Sequence, residues 1–179
     1  GMLYIFHRET GEPFFPIEER PVPQGGVPGE VLSPTQPFPV KPPALVPQQF
    51  TEADFWGMTP WERNACRKAY GSYRYGGIFT PPSLEGSILW PSSAGGVNWG
   101  GVAVDPESRI LVTNVIRLGH YAKLIPADEA SGVQSTPQEN MLGAPVRLLG
   151  TPYALKQGAL LSPANQMPCT APPYAQLVA

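Results

Sequence analysis

The chain has 179 residues, of which 42% are hydrophobic and 15% are charged, and its formal net charge is −2. This length suits one domain with a sizeable core, and the slight negative charge argues against a nucleic-acid partner, which requires a basic surface. Although the chain holds 24 Pro and 19 Gly, its four Trp, seven Tyr and seven Phe argue against disorder and favour a β-protein with long loops.

Metal and membrane features are not indicated by the sequence. The two histidines, His7 and His120, are far apart, and no CxxC pair occurs, so no metal site is predicted. No stretch approaches the roughly 18 apolar residues of a membrane helix, and the start lacks a basic-then-apolar secretion signal. The two cysteines, Cys66 and Cys169, could be two buried thiols or could form one long-range disulfide, which would require an oxidising compartment.

The first fifty residues show little periodicity. Leu3–Phe6 is a β-prone run followed by a polar turn, so residues 1–12 are predicted to form a strand of a propeller blade. Residues 13–50 are rich in proline, which favours an extended loop with few hydrogen bonds.

Two helix starts follow in residues 51–71, the predicted helical segment. Thr51 to Asp54 fits a capping box, with Asp in place of the usual Glu or Gln. Thr59 to Glu62 fits a second one, with Pro60 at the first helical position. We expect one short helix that contains Cys66 and ends near residue 71.

Residues 78–179 are predicted to form blade strands and loops. The clearest local feature is a hairpin in which residues 101–104 and 109–114 flank the turn at residues 105–108. A small, polar stretch at residues 128–145 is expected to be a mobile loop. Further strands are predicted at residues 87–90, 120–125, 152–156 and 174–178.

Several motifs carry a family resemblance. They are PVPQG (21–25), SPTQPF (33–38), ADFWG (53–57), RYGGIFTPPS (74–83), GGVNWGGVAVDP (95–106) and PCTAPP (168–173). In this order and spacing, residues 3–179 resemble the C-terminal portion of the propeller domain of membrane-bound quinoprotein glucose and quinate dehydrogenases. The resemblance implies an all-β partial propeller, roughly two to three blades of an eight-bladed one, with a long Pro-rich loop and one short helix in a single domain.

The resemblance also implies a cofactor, pyrroloquinoline quinone (PQQ), near the propeller axis of a periplasmic, membrane-associated enzyme that passes electrons to ubiquinone. The family's catalytic Asp and its quinone-contacting Lys fall upstream of the matching stretch, so no catalytic residue is predicted in this chain.

Three residues inherit expected cofactor contacts from the family. Asn114 matches an Asn that contacts the quinone, and Asn98 with Trp99 resembles an Asn-Trp pair placed near it. An amide supplies both a donor and an acceptor for quinone carbonyls and carboxylates. Each has a structural alternative: Asn114 could cap the exit turn of the hairpin, Asn98 could serve a left-handed turn, and Trp99 could pack between blades.

Besides a segment of a dehydrogenase, the sequence is compatible with two other functions. One is a non-catalytic β-module that serves structure or assembly, and the other is a carbohydrate- or peptide-binding module. Because two or three blades cannot close a ring, their strand edges are expected to meet the remaining blades or a second copy of the chain.

Overall fold

The computed structural model describes residues 1–93, 96–97, 100–130, 136, 139 and 142–179. Its regular elements are, in chain order, β1 (Ile17–Pro21), β2 (Thr35–Pro39), α1 (Pro60–Tyr70), β3 (Ser87–Leu89), β4 (Ala103–Asp105), β5 (Ile110–Ile116), β6 (His120–Pro126), β7 (Val146–Arg147), β8 (Tyr153–Ala159) and β9 (Ala175–Val178). Short 3₁₀ helices lie at Glu52–Asp54 and Ala127–Ala130.

The strands form three antiparallel sheets. The largest has the order β3-β6-β8-β7, the second has the order β4-β5-β9, and the third is the ribbon β1-β2. A four-stranded antiparallel sheet is the unit of a propeller blade. The predicted mostly-β architecture with one short α-helix is therefore confirmed, and the sheets of the described residues do not close into a ring.

The helix begins and ends where its caps predict. Thr59 accepts a hydrogen bond from the Glu62 amide at 3.3 Å, and the Glu62 carboxylate accepts one from the Thr59 amide at 2.9 Å. This reciprocal pair satisfies two amides that a helix start otherwise leaves without partners. At Thr51 the Asp54 carboxylate accepts from the backbone amide at 2.6 Å, but only a 3₁₀ turn follows.

The first fifty residues differ from the expectation. Residues 3–6 form no strand; Phe6 and Pro13 make one isolated bridge around a turn. The Pro-rich stretch, expected to be a loop, contains the β1-β2 ribbon with Ile17 opposite Pro39. Both strands of a two-stranded ribbon are edge strands. Proline, which has no backbone N–H to donate, is tolerated there because the outward-facing side of an edge strand has no neighbouring strand to bond.

The hairpin formed by β4 and β5 pairs Ala103 with Val112 and Asp105 with Ile110. In its turn the Asp105 carboxylate accepts hydrogen bonds from the Ser108 hydroxyl and from the Glu107 amide, the latter at 3.0 Å. These bonds, the Ser108 hydroxyl first, lower the pKa of Asp105. Half of the predicted mobile loop, residues 131–135, 137–138 and 140–141, lies outside the described residues.

The core lies where α1 meets the largest sheet. The sulfurs of Cys66 and Cys169 form a disulfide at its centre, and both residues are fully buried. Phe50 packs edge-on against Phe55 at 5.2 Å between ring centroids. Around them lie the other members of the core, Ile88, Leu160, Tyr70, Tyr73, Tyr75, Trp90 and Tyr121.

Two absences concern only the part of the chain that the structure describes. No helix there is both long and apolar enough to cross a membrane. No cluster of three or more His, Cys, Asp or Glu side chains there has the arrangement of a metal site.

Candidate cofactor-facing surface

Asn114 lies in the middle of β5, the central strand of its sheet, opposite Leu177 of β9. Because side chains alternate along a strand, Thr113 and Val115 face the interior, where they are 3% and 0% exposed. Asn114 therefore points to the other side, where it is exposed. The alternative that Asn114 caps the exit turn of the hairpin is wrong, since the strand continues to Ile116.

The exposed side of this sheet, the Asn114 face, is mostly apolar, and its polar groups are the Asn114 amide and the Asp105 carboxylate in the hairpin turn. Leu177 is 76% exposed and Ile110 is 45% exposed. Residues that pair directly across antiparallel strands share a face, so the Asn114 face comprises Ile110, Val112, Asn114, Ile116, Ala103, Asp105, Ala175 and Leu177. No hydrogen bond joins the Asn114 side chain to another described residue, so both its donor and its acceptor are available.

Asn98 and Trp99 lie outside the described residues, so their expected cofactor contacts stay predictions. Their described flanks are held against β5. Gly96 exchanges two backbone hydrogen bonds with Ile116, at 3.1 and 3.3 Å, and the Thr113 hydroxyl donates to the Gly101 carbonyl at 3.0 Å. The glycine-rich motif is thus tied to the strand on both sides of Asn114.

The buried titratable groups belong to the core rather than to the Asn114 face. Burial raises the pKa of Tyr75 to about 12, with the Asp54 charge as a smaller cause, and its hydroxyl donates to the Gln48 carbonyl. Burial lowers the pKa of His120, whose Nδ1 lies 2.8 Å from the Ser93 hydroxyl. Both arrangements are typical of side chains that stabilise a fold.

Sequence reasoning missed a second feature, a cleft of about 550 Å³ between the approach to α1 and the end of the chain. Trp56, Trp90, Arg63, Arg117 and Thr170 line it. Trp56 and Thr170 belong to the motifs ADFWG and PCTAPP, but nothing in either motif predicts that they meet. The disulfide and the isolated bridge between Phe55 and Thr170 bring these distant segments together.

Comparison with known proteins decides the family. The family model "PQQ: Glucose/ethanol/alcohol dehydrogenase, beta-propeller domain" matches residues 1–179. The chain belongs to this family. As a member of the PQQ β-propeller family it is similar over its whole length to full-length dehydrogenases, whose names agree with the resemblance read from the motifs.

Three relatives illustrate the range of substrates that the names of the similar proteins specify. The chain is 38% identical to a "Probable quinate dehydrogenase (quinone)" of Xanthomonas campestris pv. juglandis, with 100% of this chain and 23% of the relative covered. It is 32% identical to the "Quinoprotein glucose dehydrogenase" of Escherichia coli (strain K12), with coverages of 100% and 23%. It is 35% identical to the "Glycerol dehydrogenase large subunit" of Gluconobacter thailandicus, with coverages of 100% and 26%.

The chain therefore spans about a quarter of the length of the curated relatives it matches. No solved structure was found to match it. The cofactor of the family is PQQ, and the relatives differ from one another in the alcohol that their names specify.

Proposed function

We propose that this chain supplies part of the PQQ-binding surface of a quinoprotein dehydrogenase that oxidises a sugar or a polyol and passes electrons to a membrane quinone. The observation that carries the proposal is the exposed, unpartnered amide of Asn114 on the central strand of its sheet. Family membership and the names of the quinate, glucose and glycerol dehydrogenases support it.

The chemistry of the Asn114 amide suits a contact with PQQ. PQQ, when bound, accepts the electrons removed from the alcohol, while the protein positions it and tunes its electronics. The Asn114 side-chain NH2 can donate a hydrogen bond to a quinone carbonyl or a carboxylate, and its oxygen can accept a hydrogen bond from a donor. Strand pairing on both sides holds the Asn114 backbone in place, which favours a fixed contact. Asn98 and Trp99 are proposed as further contacts.

The chain is proposed to be inactive by itself. The family's catalytic Asp and its quinone-contacting Lys have no counterpart in the matching residues, so proton removal from the substrate would depend on other blades. We propose that the Asn114 face and the strand edges pack against those blades, or against a second copy of the chain. A non-catalytic structural module is the second candidate function, and the exposed apolar side chain of Leu177, which suits packing against another unit, favours it.

The location is proposed to be periplasmic and membrane-associated, as implied by the family. The buried disulfide supports an oxidising compartment, because cytosolic thiols are kept reduced.

The test is calorimetric titration of the purified chain with PQQ, with and without calcium. We expect saturable binding that weakens about tenfold in Asn114→Ala, the loss typical of one charge-assisted hydrogen bond. Asn64→Ala, at an exposed position of α1, serves as the matched control and should bind as the parent chain does. Absence of binding at millimolar PQQ would favour the structural module instead.

A further inference from the structure

The cleft beside α1 is built from preorganised parts of the core. Phe55 bridges Thr170 in an isolated antiparallel pair, and the Trp56 amide donates to the Cys169 carbonyl at 2.7 Å. Trp90 donates its indole N–H to the Pro47 carbonyl at 2.8 Å. With the disulfide adjoining Thr170, these bonds fix the walls of the cleft before any ligand binds.

Two buried polar atoms at the cleft have no hydrogen-bond partner among the described residues. Thr170 is 1% exposed, and its hydroxyl is unpartnered; the Nε of Arg117 is also buried and unpartnered. A buried polar atom without a partner costs about 1–3 kcal/mol of stability, so native structures rarely retain one without a reason. Arg117 is oriented by one long bond, from its Nη1 to the Gln176 side chain at 3.3 Å.

The charge at the cleft favours an anion. Arg63 donates to the Phe55 and Ala53 carbonyls, at 2.8 and 2.9 Å, and neither Arg63 nor Arg117 forms an ion pair with a described carboxylate. The one carboxylate among the lining residues, that of Asp54, accepts hydrogen bonds from Thr51. A ligand with acceptor atoms and negative charge would complement both guanidinium groups.

The remaining lining is apolar and aromatic. Trp56 and Trp90 are half-buried and contribute ring surface, and Met58 adds an exposed thioether. A volume of about 550 Å³ is in the range of small-molecule sites. Ring surface next to an arginine with free donors suits a molecule that has a ring at one end and a carboxylate at the other.

We propose that this cleft binds a small ring-bearing organic carboxylate, whose oxygens accept hydrogen bonds from Arg117 Nε and the Thr170 hydroxyl. The inference does not rest on the proposed PQQ surface, because the cleft and the Asn114 face use different residues. PQQ is itself a ring-bearing carboxylate, so the two sites are told apart by titrating Arg117→Met with PQQ, whose binding at the Asn114 face should be unchanged in that variant.

The test titrates the 179-residue chain with sodium quinate and with sodium benzoate, using myo-inositol as the uncharged ring control. Binding is followed by calorimetry and by tryptophan fluorescence at constant ionic strength, because salt screens exposed charge. We expect at least one acid to bind saturably with a dissociation constant at or below about 10 mM, and we expect no binding of inositol. Failure of both acids to saturate would overturn the proposal.

Variants separate a ligand contact from a structural role. Arg117→Met should weaken acid binding about tenfold or more, and Arg117→Lys should recover part of it, because lysine keeps the charge but loses the fork of donors. Arg147→Met, at an exposed position of β7, is the matched control and should bind as the parent does.

Thr170→Val gives the sharpest result. Removing an unpartnered buried hydroxyl should leave the melting temperature of the unliganded chain unchanged or raise it, yet the same substitution should weaken acid binding. If Thr170→Val instead lowers the melting temperature and leaves acid binding unchanged, the hydroxyl is structural and the proposal is wrong.

Discussion

Cys66 of α1 and Cys169, 103 residues further along the chain, form a disulfide whose Cα atoms lie 5.6 Å apart in the middle of the aromatic core. The bond connects the helix to the segment that also carries Thr170. One covalent link therefore supports both the core and the wall of the cleft beside it.

Removing this disulfide should destabilise the chain strongly. Cross-linking residues that far apart restricts the unfolded chain, and the loop-closure relation gives about 4–5 kcal/mol for such a loop. We expect Cys66→Ala/Cys169→Ala to lower the free energy of unfolding by an amount of that order, as measured by urea denaturation. Treating the parent chain with a reductant should have the same effect, and the double variant should not respond to the reductant. Equal midpoints for parent and variant would contradict this.

Removing the capping box at Thr59 should destabilise the chain less than removing the disulfide does. Thr59→Ala removes the acceptor for the Glu62 amide and should lower the free energy of unfolding by about 1 kcal/mol. Thr59→Ser keeps the hydroxyl and should be nearly neutral. Denaturation of the two variants side by side checks the cap, and similar losses in both would show that the methyl group, not the hydrogen bond, matters.

His120 predicts the pH dependence of stability. Burial lowers its pKa in the folded state, so below the ordinary histidine pKa of about 6.5 the unfolded chain binds more protons than the folded one. Stability should therefore fall as pH decreases through and below that value. Urea denaturation between neutral and mildly acidic pH measures the slope, and His120→Gln should reduce it. An equal slope in the variant would assign the effect to other groups.

The Asn114 face predicts self-association of the isolated chain. Leu177, 76% exposed next to Asn114, should contribute to an apolar contact between copies. Light scattering at high micromolar concentration should detect oligomers, and Leu177→Lys should shift them toward monomer. Leu149→Lys, at a residue that is 97% exposed and lies outside this sheet, is the control. A monodisperse parent monomer would remove the prediction.

Some elements could be predicted from the sequence alone because they depend on interactions between residues that are close in the chain. The cap of α1 and the turn of the β4-β5 hairpin depend on residues within four positions of each other, such as Thr59 with Glu62 and Asp105 with Ser108. The family motifs also run through the whole chain, so family and cofactor followed from the order of residues. The expectation for residues 3–6 failed because a β-prone run needs a partner strand, and Phe6 finds only Pro13.

Tertiary structure decided what depends on distant partners. Whether Cys66 and Cys169 remain thiols or pair, and whether Asn114 ends a strand or stands in its middle, depends on contacts made far along the chain. The pairing of β5 with β9 exposes Asn114 and buries Val115. The same long-range contacts bring Arg117 and Thr170 to one cleft. The sequence by itself determined the family and the local caps, because those signals act between neighbours, whereas the geometry of both sites required the packed chain.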